Sequence, residues 1–85
     1  MIIMNTIVRN YFEKPRLKKT TVQKVVHYIE GEIKKGQLHA GDKLPSEAEL
    51  CTLLNVSRTS VREAIKILES LTVVTVRRGD GTYIT

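Results

Sequence analysis

Cysteine occurs once, at Cys51, so no internal disulfide can form and no multi-cysteine zinc knot can assemble. That usage fits a reducing, intracellular compartment, and a cytoplasmic location is the expectation. No stretch approaches the roughly 20 apolar residues a membrane span needs. The opening run Met1-Ile2-Ile3-Met4 is broken at once by Asn5 and Thr6 and has no basic segment ahead of it, so it does not read as a secretory signal. Internal repeats and low-complexity tracts are missing too. No nucleophile, base and orienting group come together along the chain, and Gly79-Asp80-Gly81 is too short for a nucleotide fingerprint. An enzyme is therefore not expected, and no cofactor is implied. His27 and His39 stand twelve residues apart and read as packing or surface residues rather than metal ligands.

What is present is one small domain's worth of chain. The 85 residues include 41% apolar and 27% charged side chains, which separates them from disordered sequences. A core of this size buries only roughly 60% of the unfolded surface, so a large enclosed substrate cavity is not expected. The formal charge of +5 favours polyanionic partners. Its distribution says more. Arg9, Lys14, Arg16, Lys18 and Lys19 stand against Glu13 alone, and residues 1–19 read as a basic arm or leader. Residues 20–56 are close to neutral. From Ser57 onward Arg58, Arg62, Lys66, Arg77 and Arg78 again outnumber the acids Glu63, Glu69 and Asp80.

The domain proper is expected at 20–85. Thr20-x-x-Gln23 fits a capping box, and Val22, Val25, Val26, Ile29 and Ile33 recur at helical spacing to give a first helix at about 20–35. Lys34 and Lys35 suit its negative end, and Gly36 suits the left-handed position after it. Gly41-Asp42 is turn chemistry, Lys43-Leu44 a very short strand, and Pro45 a stop. Ser46-Glu47-Ala48-Glu49 forms a second capping box, opening a short helix at about 46–54 with Leu50, Leu53 and Leu54 as its apolar stripe. Asn55 tolerates the left-handed backbone of a sharp turn. Val56 is expected inside, and Ser57 caps a third helix running to about residue 70 with Val61, Ala64, Ile65, Leu68 and Leu71 on its core face. Val73-Val74-Thr75-Val76 and Thr82-Tyr83-Ile84-Thr85 then read as two strands around a glycine-rich basic turn.

Helix, short helix, tight turn, helix and hairpin make a mainly α fold with a small β-hairpin wing: a winged helix-turn-helix, three helices plus a short antiparallel sheet. Its third helix shows Arg58, Thr59, Ser60 and Arg62 at the N-terminal end, where a recognition helix meets base edges in the major groove. Arginine can bond bidentately to guanine O6 and N7. Hydroxyls and free N–H groups at a helix start suit phosphate oxygens. At the wing, a narrow minor groove attracts arginine. Arg62 has no carboxylate at favourable spacing on its own helix, Glu63 and Glu69 being the neighbours considered. Arg77 and Arg78 alternate faces, so one of them is expected to carry the contact.

Three ordered blocks resemble the DNA-binding domain of GntR-type bacterial transcription regulators. They are Leu44-Pro45-Ser46-Glu47-x-Glu49-Leu50, Val56-Ser57-Arg58-Thr59-x-Val61-Arg62-Glu63-Ala64 and Gly79-x-Gly81-Thr82-Tyr83. The wing and the Ser60-Val61-Arg62-Glu63-Ala64 stretch look most like the fatty-acid-regulator (FadR) branch. The resemblance implies a phosphate held at Ser46, contacts from Ser57, Thr59 and Ser60 at the groove entrance, and base reading by Arg58 and Arg62. It implies a wing tip of Arg78, Gly79 and Gly81 at the minor groove; Lys66 would meet phosphate. Ala48 replaces a usual arginine, removing one expected DNA contact. Thr72 stands where glycine commonly ends the third helix, Asn55 replaces a frequent glycine, and Ala40 a common proline. Relatives continue into a C-terminal domain that binds a small-molecule effector and dimerises. The chain is accordingly expected to be a fragment of a homodimeric regulator that sits on a palindromic double-stranded operator. The alternative class is a winged-helix protein-interaction module without sequence-specific DNA binding; a basic, polar third-helix surface favours DNA, an apolar one protein.

Overall fold

Each of the three helices among the described residues is started by a side chain and stopped by a left-handed residue. The structure, a computed structural model, describes residues 20–85. The basic arm expected at 1–19 lies outside the described residues. Helix α1 spans Thr21–Lys34, α2 Glu47–Leu54 and α3 Arg58–Ser70. Thr20 caps α1: its hydroxyl accepts the Gln23 N–H at 3.1 Å, while the Gln23 carboxamide accepts the Thr20 N–H at 2.7 Å. Ser46 and Glu49 repeat that exchange at α2, at 3.1 and 2.7 Å. Ser57 caps α3 through the Ser60 N–H at 3.1 Å. These bonds satisfy donors that a helix start otherwise leaves open.

The stops share one geometry. After α1, Gly36 sits at φ 77°, with Gly36 N–H on Ile33 O at 3.1 Å and Gln37 N–H on Glu32 O at 2.9 Å. After α3, Thr72 sits at φ 59°, with Thr72 N–H on Glu69 O at 3.0 Å and Val73 N–H on Leu68 O at 2.8 Å. Both are Schellman closures, one built with glycine and one with threonine. Between α2 and α3, Asn55 takes φ 54°, and Val56 N–H reaches back to Cys51 O at 3.1 Å. Lys24, from α1, donates its ammonium to Leu54 O at 3.3 Å and satisfies one more carbonyl at this corner.

Val25, Val26, Ile29 and Ile33 of α1 pack with Val61, Ala64 and Leu68 of α3; Leu50 closes the core from α2, and Leu44, Val73, Val74 and Ile84 from the sheet side. Val22, Ile65, Leu71 and Val56 are half-buried around it. The expected stripe of α2 is corrected. Leu53 is 57% exposed, whereas Cys51 and Leu54 pack against the core. Helix α2 contributes one narrow face, running through Glu47, Leu50, Cys51 and Leu54, and Leu53 projects about a third of a turn from its centre.

Strands β1 (Val74–Arg77) and β2 (Gly81–Ile84) pair antiparallel, from Val74 opposite Ile84 to Arg77 opposite Gly81. The short strand expected at Lys43-Leu44 is a single bridge, Lys43 opposite Tyr83. It is supported by Gly41 N–H to Ile84 O, Leu44 N–H to Thr82 O and Ile84 N–H to Asp42 O, each 2.8 Å. The α1–α2 loop thereby forms the third rung of the wing sheet.

Candidate nucleic-acid interface

The start of α2, one face of α3 and the hairpin surround a groove of about 360 Å³. Pro45, just ahead of α2, and Glu47 of α2 line it on one side, Arg62 and Lys66 from α3, and Val76 and Thr82 from the wing. Along α3, Arg58, Thr59, Arg62, Glu63 and Lys66 are exposed, because Val61, Ala64 and Leu68 take the opposite face inward.

The arginines are not loose. Arg62 makes a two-pronged contact with Glu47, Nε donating to Oε2 at 2.7 Å and Nη2 to Oε1 at 3.3 Å. Arg58 Nη1 stands 3.9 Å from the same Oε1. The Arg62 hydrogen bond holds the Glu47 carboxyl below its ordinary range, and the Arg62 guanidinium is raised in turn. The sequence expectation weighed Glu63 and Glu69 as partners of Arg62; the partner is Glu47, fifteen residues back. Lys66 reaches Glu63 at a longer 3.9 Å.

Ser46 is exposed at the start of α2, its hydroxyl occupied by the Glu49 N–H. Backbone and hydroxyl bonds from Ser46 hold the Glu49 carboxyl low as well. Ser57 is exposed at the start of α3. Ser60 does not belong with this surface. It is 8% exposed, and its Oγ lies 2.6 Å from Thr21 Oγ1 and accepts from Ser57 at 3.1 Å. Ser60 sits on the Val61–Ala64–Leu68 side of the helix, where its hydroxyl ties α3 to the start of α1.

At the wing, Arg78 and Gly79 are exposed in the turn, and Arg78 has no ion-pair partner among the described residues. Arg77 instead lies over the Tyr83 ring, 4.1 Å from its centroid. Tyr83 donates its hydroxyl to Asp80 at 2.8 Å, which holds the Asp80 carboxyl below its usual range, and Lys43 adds an ion pair at 3.5 Å. A Cβ on Gly81 would lie 2.5 Å from Lys43 Cε, so the lysine side chain would have to shift to admit a larger residue. The lysine stem therefore covers Gly81 on that side.

Sequence reasoning did not foresee that Glu47 pairs with Arg62, or that Lys43, Asp80 and Tyr83 form a linked group beside the wing turn. For Glu47 a signal existed. Glu47 reads from the sequence as a helix-dipole carboxylate, but the second capping box uses Glu49, two residues on, and leaves the Glu47 side chain free to reach another element.

A family model described as "Bacterial regulatory proteins, gntR family" matches residues 21–84. An uncharacterized HTH-type transcriptional regulator of Bacillus subtilis, YcbG, is 47% identical over 67 residues, 79% of this chain and 27% of that protein. The Uxu operon regulator of Haemophilus influenzae is 36% identical over 80 residues, 94% of this chain and 29% of its own length. The chain thus spans less than a third of these curated relatives. Among solved structures, the AraR DNA-binding domain in complex with operator ORX1 superposes with a TM-score of 0.75 at 30% identity, covering 87% of this chain and 92% of that one. A GntR family transcriptional regulator from Listeria monocytogenes gives 0.75 at 41% identity, covering 80% and 60%. The chain belongs to the gntR family of bacterial regulatory proteins, and residues 21–84 are its winged helix-turn-helix DNA-binding domain.

Proposed function

We propose that this domain reads double-stranded DNA sequence-specifically, with α3 in the major groove and the wing in the adjacent minor groove. The carrying observation is the face of α3: Arg58, Thr59, Arg62 and Lys66 are exposed together beside a wing whose Arg78 has no ion-pair partner among the described residues. Arg58 and Arg62 read bases, and Lys66 meets phosphate. Ser46, Ser57 and Thr59 meet the backbone at the two helix starts, where N–H groups and the dipole favour anions. Arg78 and Gly79 enter the minor groove. In the complete regulator two copies occupy the halves of a palindromic operator, and a further domain dimerises and binds a small effector. The protein acts in the cytoplasm as a regulator and not as an enzyme; its relatives carry regulator names, and no described helix is long and apolar enough to cross a membrane. The Ser60–Ala64 stretch and the wing support the FadR-like branch. Against a protein-interaction module, the outward face of α3 is charged and polar.

Selection from a random duplex pool at low and moderate salt tests this reading. A motif enriched by the wild type and blurred at one position by Arg62→Ala is the expected result. Uniform retention of all duplexes, lost as salt rises, would refute sequence reading and leave only counterion-driven binding.

A further inference from the structure

We infer that Glu47 is a specificity-determining residue, which positions Arg62 so that only one edge of its guanidinium is left to meet a guanine. The inference rests on the DNA-reading function proposed above. A guanidinium offers two paired-donor edges, a side edge of Nε and Nη2 and an end edge of Nη1 and Nη2. Glu47 occupies the side edge with both carboxylate oxygens, at 2.7 and 3.3 Å. The end edge carries no hydrogen bond among the described residues. Two parallel donors remain, matched to the O6 and N7 acceptors of guanine.

The same carboxylate has a second effect. It stands 3.9 Å from Arg58 Nη1, so one negative charge faces both arginines of the reading helix. A phosphate approaching Arg62 from the side edge meets a carboxylate already there and is repelled by it. Glu47 thus disfavours the sequence-independent contact while orienting the sequence-dependent one, which is how a repulsive element produces discrimination. Its place at the first position of α2 fixes the carboxylate: Ser46 and Glu49 lock the helix start without using it. Its side chain is about one-third exposed, whereas Arg62 is nearly two-thirds exposed, so the carboxylate is the anchored member of the pair.

The test uses the 85-residue chain, a random duplex pool and the duplex that the wild type selects from it. Wild type, Glu47→Ala, Glu47→Gln and Glu63→Gln are compared. Glu63→Gln removes one charge from the same surface without touching a guanidinium. For the wild type, the guanine lost on Arg62→Ala is expected to be preferred by of order tenfold. In Glu47→Ala that preference falls by roughly fivefold or more, while binding to the unselected pool is unchanged or tighter. Glu47→Gln, which keeps the shape and one acceptor oxygen, falls between and serves in place of the alanine variant should that one not unfold cooperatively. Glu63→Gln keeps the guanine preference. A Glu47→Ala or Glu47→Gln protein that keeps the wild-type preference overturns the inference and leaves the DNA-reading function standing. A wild type that enriches no motif overturns both.

Discussion

Replacing Thr72 with glycine is expected to stabilise the domain, and the structure sets the size of the gain. Thr72 holds φ 59° at the closure of α3, the position that Gly36 fills at the closure of α1. For an L-residue the left-handed conformation costs about 1–2 kcal/mol, and a β-branched residue is among the least tolerant of it. Glycine removes that strain but gives the unfolded chain more freedom, at a cost of about 0.5–1 kcal/mol. The side-chain bond lost, Thr72 Oγ1 to Leu71 O, is exposed and contributes little. The net gain is roughly 0.5–1 kcal/mol, or an increase in Tm of roughly 2–8 °C for a domain of this size. Thermal and urea unfolding of Thr72→Gly, Thr72→Asn and Thr72→Ala measure it. The expected order of stability is glycine, then asparagine, with alanine near the wild type, since alanine keeps the left-handed cost. A glycine variant that melts at or below the wild-type temperature would refute the reasoning. So would an alanine variant that gains as much as glycine, which would put the strain in the side chain and not in the backbone.

Three further outcomes are expected. Leu50→Ala should cost about 2–5 kcal/mol by denaturant unfolding, because Leu50 is 1% exposed, whereas Leu53→Ala should change stability by less than about 0.5 kcal/mol. Similar losses at both positions would restore the original stripe of α2. Ser60→Ala should destabilise by about 1 kcal/mol through its link to Thr21, yet leave the motif selected from a duplex pool intact; a changed motif with unchanged stability would return Ser60 to the interface. Glu47, Glu49 and Asp80 all titrate below their ordinary values of 4.5, 4.5 and 3.8. A depressed folded-state value contributes stability that is present above the unfolded value and lost as pH falls through the folded one. Tm should therefore hold from neutrality down to about pH 5 and decline below the ordinary carboxylate range, with a shallower decline in Glu49→Gln; a Tm that rises on acidification contradicts this.

Local chemistry made the frame legible in the sequence. Thr20 with Gln23, Ser46 with Glu49, Ser57, Gly36 and Asn55 act within four residues of themselves, so their roles follow from spacing. The hairpin was equally readable, because β-branched runs and a glycine turn need no tertiary partner to be recognised. What escaped depends on packing between elements. Arg62 finds Glu47 only because α2 and α3 pack together, and periodicity on α3 offers only its own neighbours as partners. Ser60 belongs by spacing to the polar start of α3, yet the approach of Thr21 turns it inward. Leu53 fits an apolar stripe that α2, touching the core on one narrow face, does not use. Gly81 is expected at the wing tip from its turn sequence, whereas the Lys43 stem lying against it comes from the α1–α2 loop and has no signal in that spacing.

The third rung of the wing sheet has a mechanical consequence. Loop residues 41–44 lead directly into the Ser46 cap of α2 and are bonded to β2, while Lys43 clamps Asp80 at the far end of the turn. On the other side, Thr85 N–H reaches Val73 O at 3.0 Å, next to the corner where α3 ends. The hairpin is thus braced at both flanks and behaves as the fixed jaw of a calliper, with α3 as the other jaw. The structure shows the spacing between the jaws in the protein alone. With α3 and the wing docked in two grooves as proposed, a sequence whose grooves do not match that span would have to deform to fit, and its stiffness would enter the discrimination even at base pairs that no side chain touches.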